Sequence, residues 1–124
     1  MKILNVLIIC ALYAAWTPPA VAAEEAAQSM ADMLAEMDHF PSAEEKATLS
    51  KIVSDTDESK HLRTIAHAIA GIEHQPTAGD KKKLEAIVAD DSATEAEKTL
   101  AGAVIRFEHK VSADDAAALE ALSE

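Results

Sequence analysis

The sequence predicts an all-α protein built from three tandem 35-residue helical hairpins, and three observations support this. First, one short motif occurs three times at a constant spacing of 35 residues: Asp38-His39-Phe40-Pro41-Ser42-Ala43, Glu73-His74-Gln75-Pro76-Thr77-Ala78 and Glu108-His109-Lys110-Val111-Ser112-Ala113. A fixed period of this length is the mark of a repeat architecture. Second, laying the copies over one another aligns apolar residues at i, i+4 and i+7, the spacing of one helical face. Third, β-branched residues are isolated and strand-like alternation never persists.

The first residues read as an export signal and not as fold. Lys2 gives a short positive start, Ile3 to Trp16 is an almost unbroken apolar run, and Thr17-Pro18-Pro19-Ala20-Val21-Ala22-Ala23 is a small-residue exit. The run of about 14 residues is shorter than the roughly 20 that cross a bilayer. Residues 1–23 are therefore expected to be a signal peptide cleaved near Ala22 or Ala23, leaving a periplasmic or secreted chain with no membrane association. Cys10 follows Ile9, where a lipoprotein signal carries a small residue, so lipidation is not expected.

Cleavage removes the sole Cys, the sole Trp and the sole Tyr. The mature chain has no thiol, so it holds together by packing without disulfides despite an oxidising destination. Loss of Lys2 takes the formal net charge from −11 to −12. That balance disfavours nucleic acid and anionic lipid and admits basic partners or divalent cations. Residues 24–124 form one domain's worth of chain, divided into units 24–58, 59–93 and 94–124.

In the first helix of each unit the aligned apolar positions are Met30, Ile65 and Leu100, then Leu34, Ile69 and Val104, then Met37, Ile72 and Phe107. Ala31, Ala66 and Ala101 stand beside them and allow close helix approach. Met30 and Met37 are core by this alignment and do not form a soft-metal stripe. The second helices start at hydroxyl residues with an acid three positions on: Ser42 with Glu45, Thr77 with Asp80, Ser112 with Asp115. Ser92 with Glu95 offers a further cap. Their apolar stripe is Leu49, Ile52 and Val53, matched by Leu84, Ile87 and Val88 and then by Leu119 and Leu122. Six helices result. A single hairpin buries too little by itself, so the three must stack, as a solenoid-like fragment or a compact bundle.

The repeated histidines His39, His74 and His109 have two readings. As helix caps, their imidazoles donate to the last carbonyls of the first helices. As ligands, they join Asp38, Glu73 and Glu108 in binding zinc, copper or nickel. Equivalent residues on stacked helices are expected about 8 to 10 Å apart, which favours capping, so no metal or other cofactor is expected. His61 and His67 have no histidine counterparts and are expected at the surface. Lys81-Lys82-Lys83, flanked by Asp80 and Glu85, reads as a solvated face. Phe40 has no apolar counterpart and reads as exposed.

No mature Cys or Tyr, no glycine-rich phosphate loop and no nucleophile with an adjacent base is evident, so a non-enzymatic role is expected. The leading expectation is a protein- or peptide-interaction module, since stacked hairpins present an extended groove. Its binding face is placed on the variable side of the first helices, at Asp32, Glu36, His67, Gly71 and Arg106. The alternative is a periplasmic metal-ion binder using the repeated acid-histidine pairs.

Overall fold

The computed structural model describes residues 19–123, with side chains from Glu24 onward. The expected signal run at residues 3–16 lies outside the described residues. Six helices follow in order: α1 (Pro19–Glu36), α2 (Ala43–Ser54), α3 (Lys60–Ala70), α4 (Ala78–Ala89), α5 (Glu95–Ile105) and α6 (Ala113–Ser123). Among the described residues there is no strand, only isolated bridges at Glu73–Gln75 and Glu108–Lys110.

The aligned apolar positions form the core as the repeat requires. Met30, Leu34, Ile65, Ile69, Leu100, Val104 and Phe107 are fully enclosed, and Met37 and Ile72 nearly so. Ala31, Ala66 and Ala101 are also fully buried, and their small side chains let the backbones of α1, α3 and α5 approach. These three helices touch one another pairwise and make the centre of the bundle. From the second helices, Leu49, Ile52, Leu84, Ile87 and Leu119 are buried, Val53 and Leu122 pack at its margin, and Val88 is exposed.

The stack closes on itself. Each outer helix packs mainly on the first helix of the next unit, α2 on α3 and α4 on α5, and α6 returns to pack as extensively on α1. Of the two arrangements compatible with the repeat, the chain adopts the compact bundle, a ring of three in which the terminal helices complete the third pair. An open solenoid leaves the apolar faces of its end units uncovered. Pairing α6 with α1 covers both.

Helix starts are fixed by local chemistry. Ser42 and Glu45 form a reciprocal capping box, with Ser42 N–H donating to Glu45 Oε2 at 3.2 Å and Glu45 N–H to Ser42 Oγ at 3.1 Å. At α4 and α6 only half of the box forms: Thr77 accepts from the Asp80 amide at 3.1 Å and Ser112 from the Asp115 amide at 3.2 Å. The shorter aspartates, both buried, turn toward the end of the preceding helix instead, Asp80 standing 3.6 Å from His67 Nδ1 and Asp115 taking a bidentate pair from Arg106 at 3.0 and 2.7 Å. Ser59 caps α3 by accepting from the Leu62 amide at 3.0 Å.

The expected cap at Ser92 does not form. Asp90 captures the Ser92 amide and hydroxyl at 2.9 and 2.7 Å in a local turn, and α5 starts two residues later at Thr94, boxed with Glu97 at 2.9 and 3.1 Å. Glu97, buried, also accepts from the Ser59 hydroxyl at 2.6 Å, which ties the start of α5 to the start of α3.

The Arg106 guanidinium lies over Gly102, where a side chain would come within 3.1 Å of it. Its hydrogen bonds hold the Asp115 carboxyl below its usual value. Arg106→Gln is expected to lower stability by about 1 kcal/mol near neutral pH, measured by urea denaturation. A depressed carboxylate stabilises above its unfolded value and stops doing so as pH falls through its folded value, so the deficit should narrow below about pH 4. A deficit that stays constant from neutral pH to about pH 2 would show that the carboxylate is not the partner that matters.

Candidate metal centre

The first helix of each unit ends one or two residues before the last of its apolar stripe, Met37, Ile72 or Phe107. In unit 2 the amides of Gly71 and Ile72 donate to the carbonyls of His67 and Ile69 at 3.2 and 3.1 Å. In unit 3 the amides of Arg106 and Phe107 do the same to Gly102 and Val104 at 3.2 and 3.1 Å. In units 2 and 3 these helix-end carbonyls are thus satisfied by backbone amides. Two residues after the last of the apolar stripe stands the histidine, flanked in unit 1 by buried Met37 and Pro41 and in unit 2 by buried Ile72 and Pro76. With both flanks held inward, the histidine occupies the apex of a reversal.

That reversal requires a positive φ, and His39, His74 and His109 have φ of 68°, 71° and 65°. In units 1 and 3 a bond across the histidine closes the turn, from Phe40 N–H to Asp38 C=O and from Lys110 N–H to Glu108 C=O, both at 2.7 Å. Glycine is the default residue for such a conformation and Asn tolerates it. A histidine there costs roughly 1 kcal/mol, and this chain bears that cost three times.

The three apices meet. His74 N–H donates to His39 C=O at 2.6 Å, His109 N–H to His74 C=O at 2.6 Å, and His39 N–H to His109 C=O at 2.5 Å. The result is a closed cycle of three backbone hydrogen bonds, one residue from each unit. Around it the imidazoles pack edge to face, every pair of ring centroids 5.1 Å apart and the planes inclined by 63° to 88°. Each ring offers one nitrogen, and the three nitrogens lie within 4.8 Å of one another on an exposed surface.

Convergence at this range overturns the expected separation of 8 to 10 Å. That spacing holds for helix axes, whereas these residues lie beyond the helix ends on turns that reach inward. A tetrahedral ion with metal–nitrogen distances near 2.0 Å needs nitrogens about 3.4 Å apart. Closing the remaining gap, at most about 1.4 Å, would take only rotation of exposed imidazoles about their side-chain torsions. The carboxylates of Asp38, Glu73 and Glu108 stand outside the triad, exposed one residue before it.

The other candidates lie elsewhere. Asp32, Glu36, His67, Gly71 and Arg106 are all exposed but are distributed over α1, α3 and α5, with His67 beside Asp80 and Arg106 committed to Asp115. His61 is half-buried and its Nε2 lies 3.1 Å from Asp90 Oδ2. Asp90 is held below the ordinary carboxylate value chiefly by hydrogen bonds from Ser92, with His61 adding to it. Phe40 is 58% exposed, as its lack of apolar counterparts suggests. The chain matches no protein-family model, and no curated protein or solved structure is significantly similar to it.

The backbone geometry predicts an ordering of substitutions at the apex. His74→Asn should leave stability within about 0.5 kcal/mol of the parent, because Asn tolerates positive φ. His74→Val, β-branched, should lose about 2 kcal/mol more than His74→Asn in the same denaturant titration. Equal losses for the two variants would mean that the apex relaxes out of its positive φ.

Proposed function

We propose that this is an exported, non-enzymatic protein that binds one divalent first-row transition ion, of the zinc, nickel, cobalt or copper group, on His39, His74 and His109. A single observation carries the reading: three positive-φ histidines, one per unit, present three imidazole nitrogens within 4.8 Å of one another. Neutral imidazole suits these borderline ions, whereas calcium and magnesium prefer all-oxygen shells. Three ligands on one side leave the outward positions for water or a ligand carried by another molecule, and the exposed carboxylates before each histidine favour a cation there.

The interaction-module reading draws on the extended groove of an open stack. A ring whose outer helices are all engaged on inner ones offers less such surface, so the metal reading takes precedence. The export element rests on the apolar run and small-residue exit at residues 3–23.

The test is calorimetric titration of the metal-free protein with zinc, nickel and cobalt. One ion per chain is expected, and His39→Ala, His74→Ala and His109→Ala should each weaken binding at least about tenfold, as loss of one of three ligands implies. His61→Ala and His67→Ala should not. Zinc at a hundredfold excess over its dissociation constant should stabilise the fold by about 2.7 kcal/mol. Absence of saturable binding, or equal weakening by His61→Ala, would overturn the proposal.

A further inference from the structure

A second feature, independent of the histidine triad, lies on unit 2. Lys60, Arg63, Thr64 and His67 stand at i, i+3, i+4 and i+7 on α3, forming one stripe along its surface. With Val53 of α2 and Lys83 of α4 they line a groove of about 440 Å³. That volume is in the range of small-ligand sites.

Its charge runs against that of the chain, whose formal net charge is −11. The internal repeat supplies the comparison. At the positions of Lys60, Arg63 and His67, unit 1 carries Glu25, Gln28 and Asp32, and unit 3 carries Glu95, Lys98 and Gly102; at the position of Lys83 they carry Thr48 and Ala118. Core residues agree between units, yet here a stripe with two carboxylates in unit 1 has become one with two fixed cations and a histidine. Arg63 is also held in place, its Nε donating to the Val53 carbonyl at 3.0 Å, so the terminal nitrogens of its guanidinium fork are presented from a fixed stem. Asp80, 3.6 Å from His67 Nδ1, is the nearest counter-charge to the groove's histidine.

We propose that this groove is a binding site for a small polyanion of phosphate or carboxylate chemistry, gripped by Lys60, Arg63 and Lys83 with His67 and Thr64 as hydrogen-bond partners. Lysines act as point charges and Arg63 as the directional donor. A monoanion meets only part of this set, so selectivity for multiply charged ligands follows.

The experiment is an NMR titration of the metal-free protein at fixed pH, read at the His67 imidazole and the α3 amides, with inorganic pyrophosphate, citrate and acetate as probes. Saturable shifts at His67 with pyrophosphate or citrate, and none with acetate, are expected; which of the two binds more tightly assigns the phosphate or the carboxylate source. Lys83→Ala should weaken binding about fivefold. Lys60→Glu, which writes the residue of units 1 and 3 into unit 2, should abolish it, and Lys98→Ala should leave it unchanged. No saturation at millimolar polyanion, shifts confined to His39, His74 and His109, or Lys60→Glu binding as tightly as the parent would overturn the proposal. Because the protein is metal-free, neither result depends on the metal centre.

Discussion

The cycle of three hydrogen bonds between His39, His74 and His109 is the constraint on which the rest of the molecule depends. Each histidine gives its amide to one neighbour and takes an amide from the other, so the backbone groups at the axis are satisfied without water or side chains. The cycle takes one residue from each of the three units and brings the first and last described helices together, so that α6 lies against α1 as α2 lies against α3. The positive φ at each apex is what turns these amides and carbonyls toward one another. The imidazoles are gathered by the same geometry that gathers the backbone.

Glycine or Asn at the three apices would allow the same cycle with less strain. Holding histidine at all three therefore points to a use for the side chain, in the sense that a retained backbone outlier argues for function and not the reverse. Coordination by three imidazoles, as proposed above, would answer that requirement and would crosslink the three units where the backbone is already closed. An ion bound only by the closed state would in turn stabilise ring closure.

Much of this was legible in the sequence. The spacing of Met30, Leu34 and Met37 and their counterparts specified both the helices and the core, because a helical face and a buried face coincide when one stripe is apolar. The hydroxyl-acid pairs located α2, α4 and α6. Ser92 misled because an aspartate two residues before a serine competes for its amide, and a local turn won over the helix start. Closure was not legible, since it depends on the accumulated rotation of three units and not on any one of them. For the same reason the histidines were found as a motif but not as a cluster. The cationic groove was concealed by reading Lys81-Lys82-Lys83 as a run: its members are Lys83 and residues of the preceding helix, visible only as a departure of unit 2 from its sister units.

The most direct measurement of the central claim is detection of scalar couplings across the hydrogen bonds in an isotope-labelled sample, from the amide nitrogens of His39, His74 and His109 to the carbonyl carbons of His109, His39 and His74. All three correlations are expected, including the one from His39 to His109 that joins the ends of the repeat. Couplings between His74 and His39 and between His109 and His74 without the third, together with rapid exchange of the His39 amide, would describe an open stack and contradict the closed cycle.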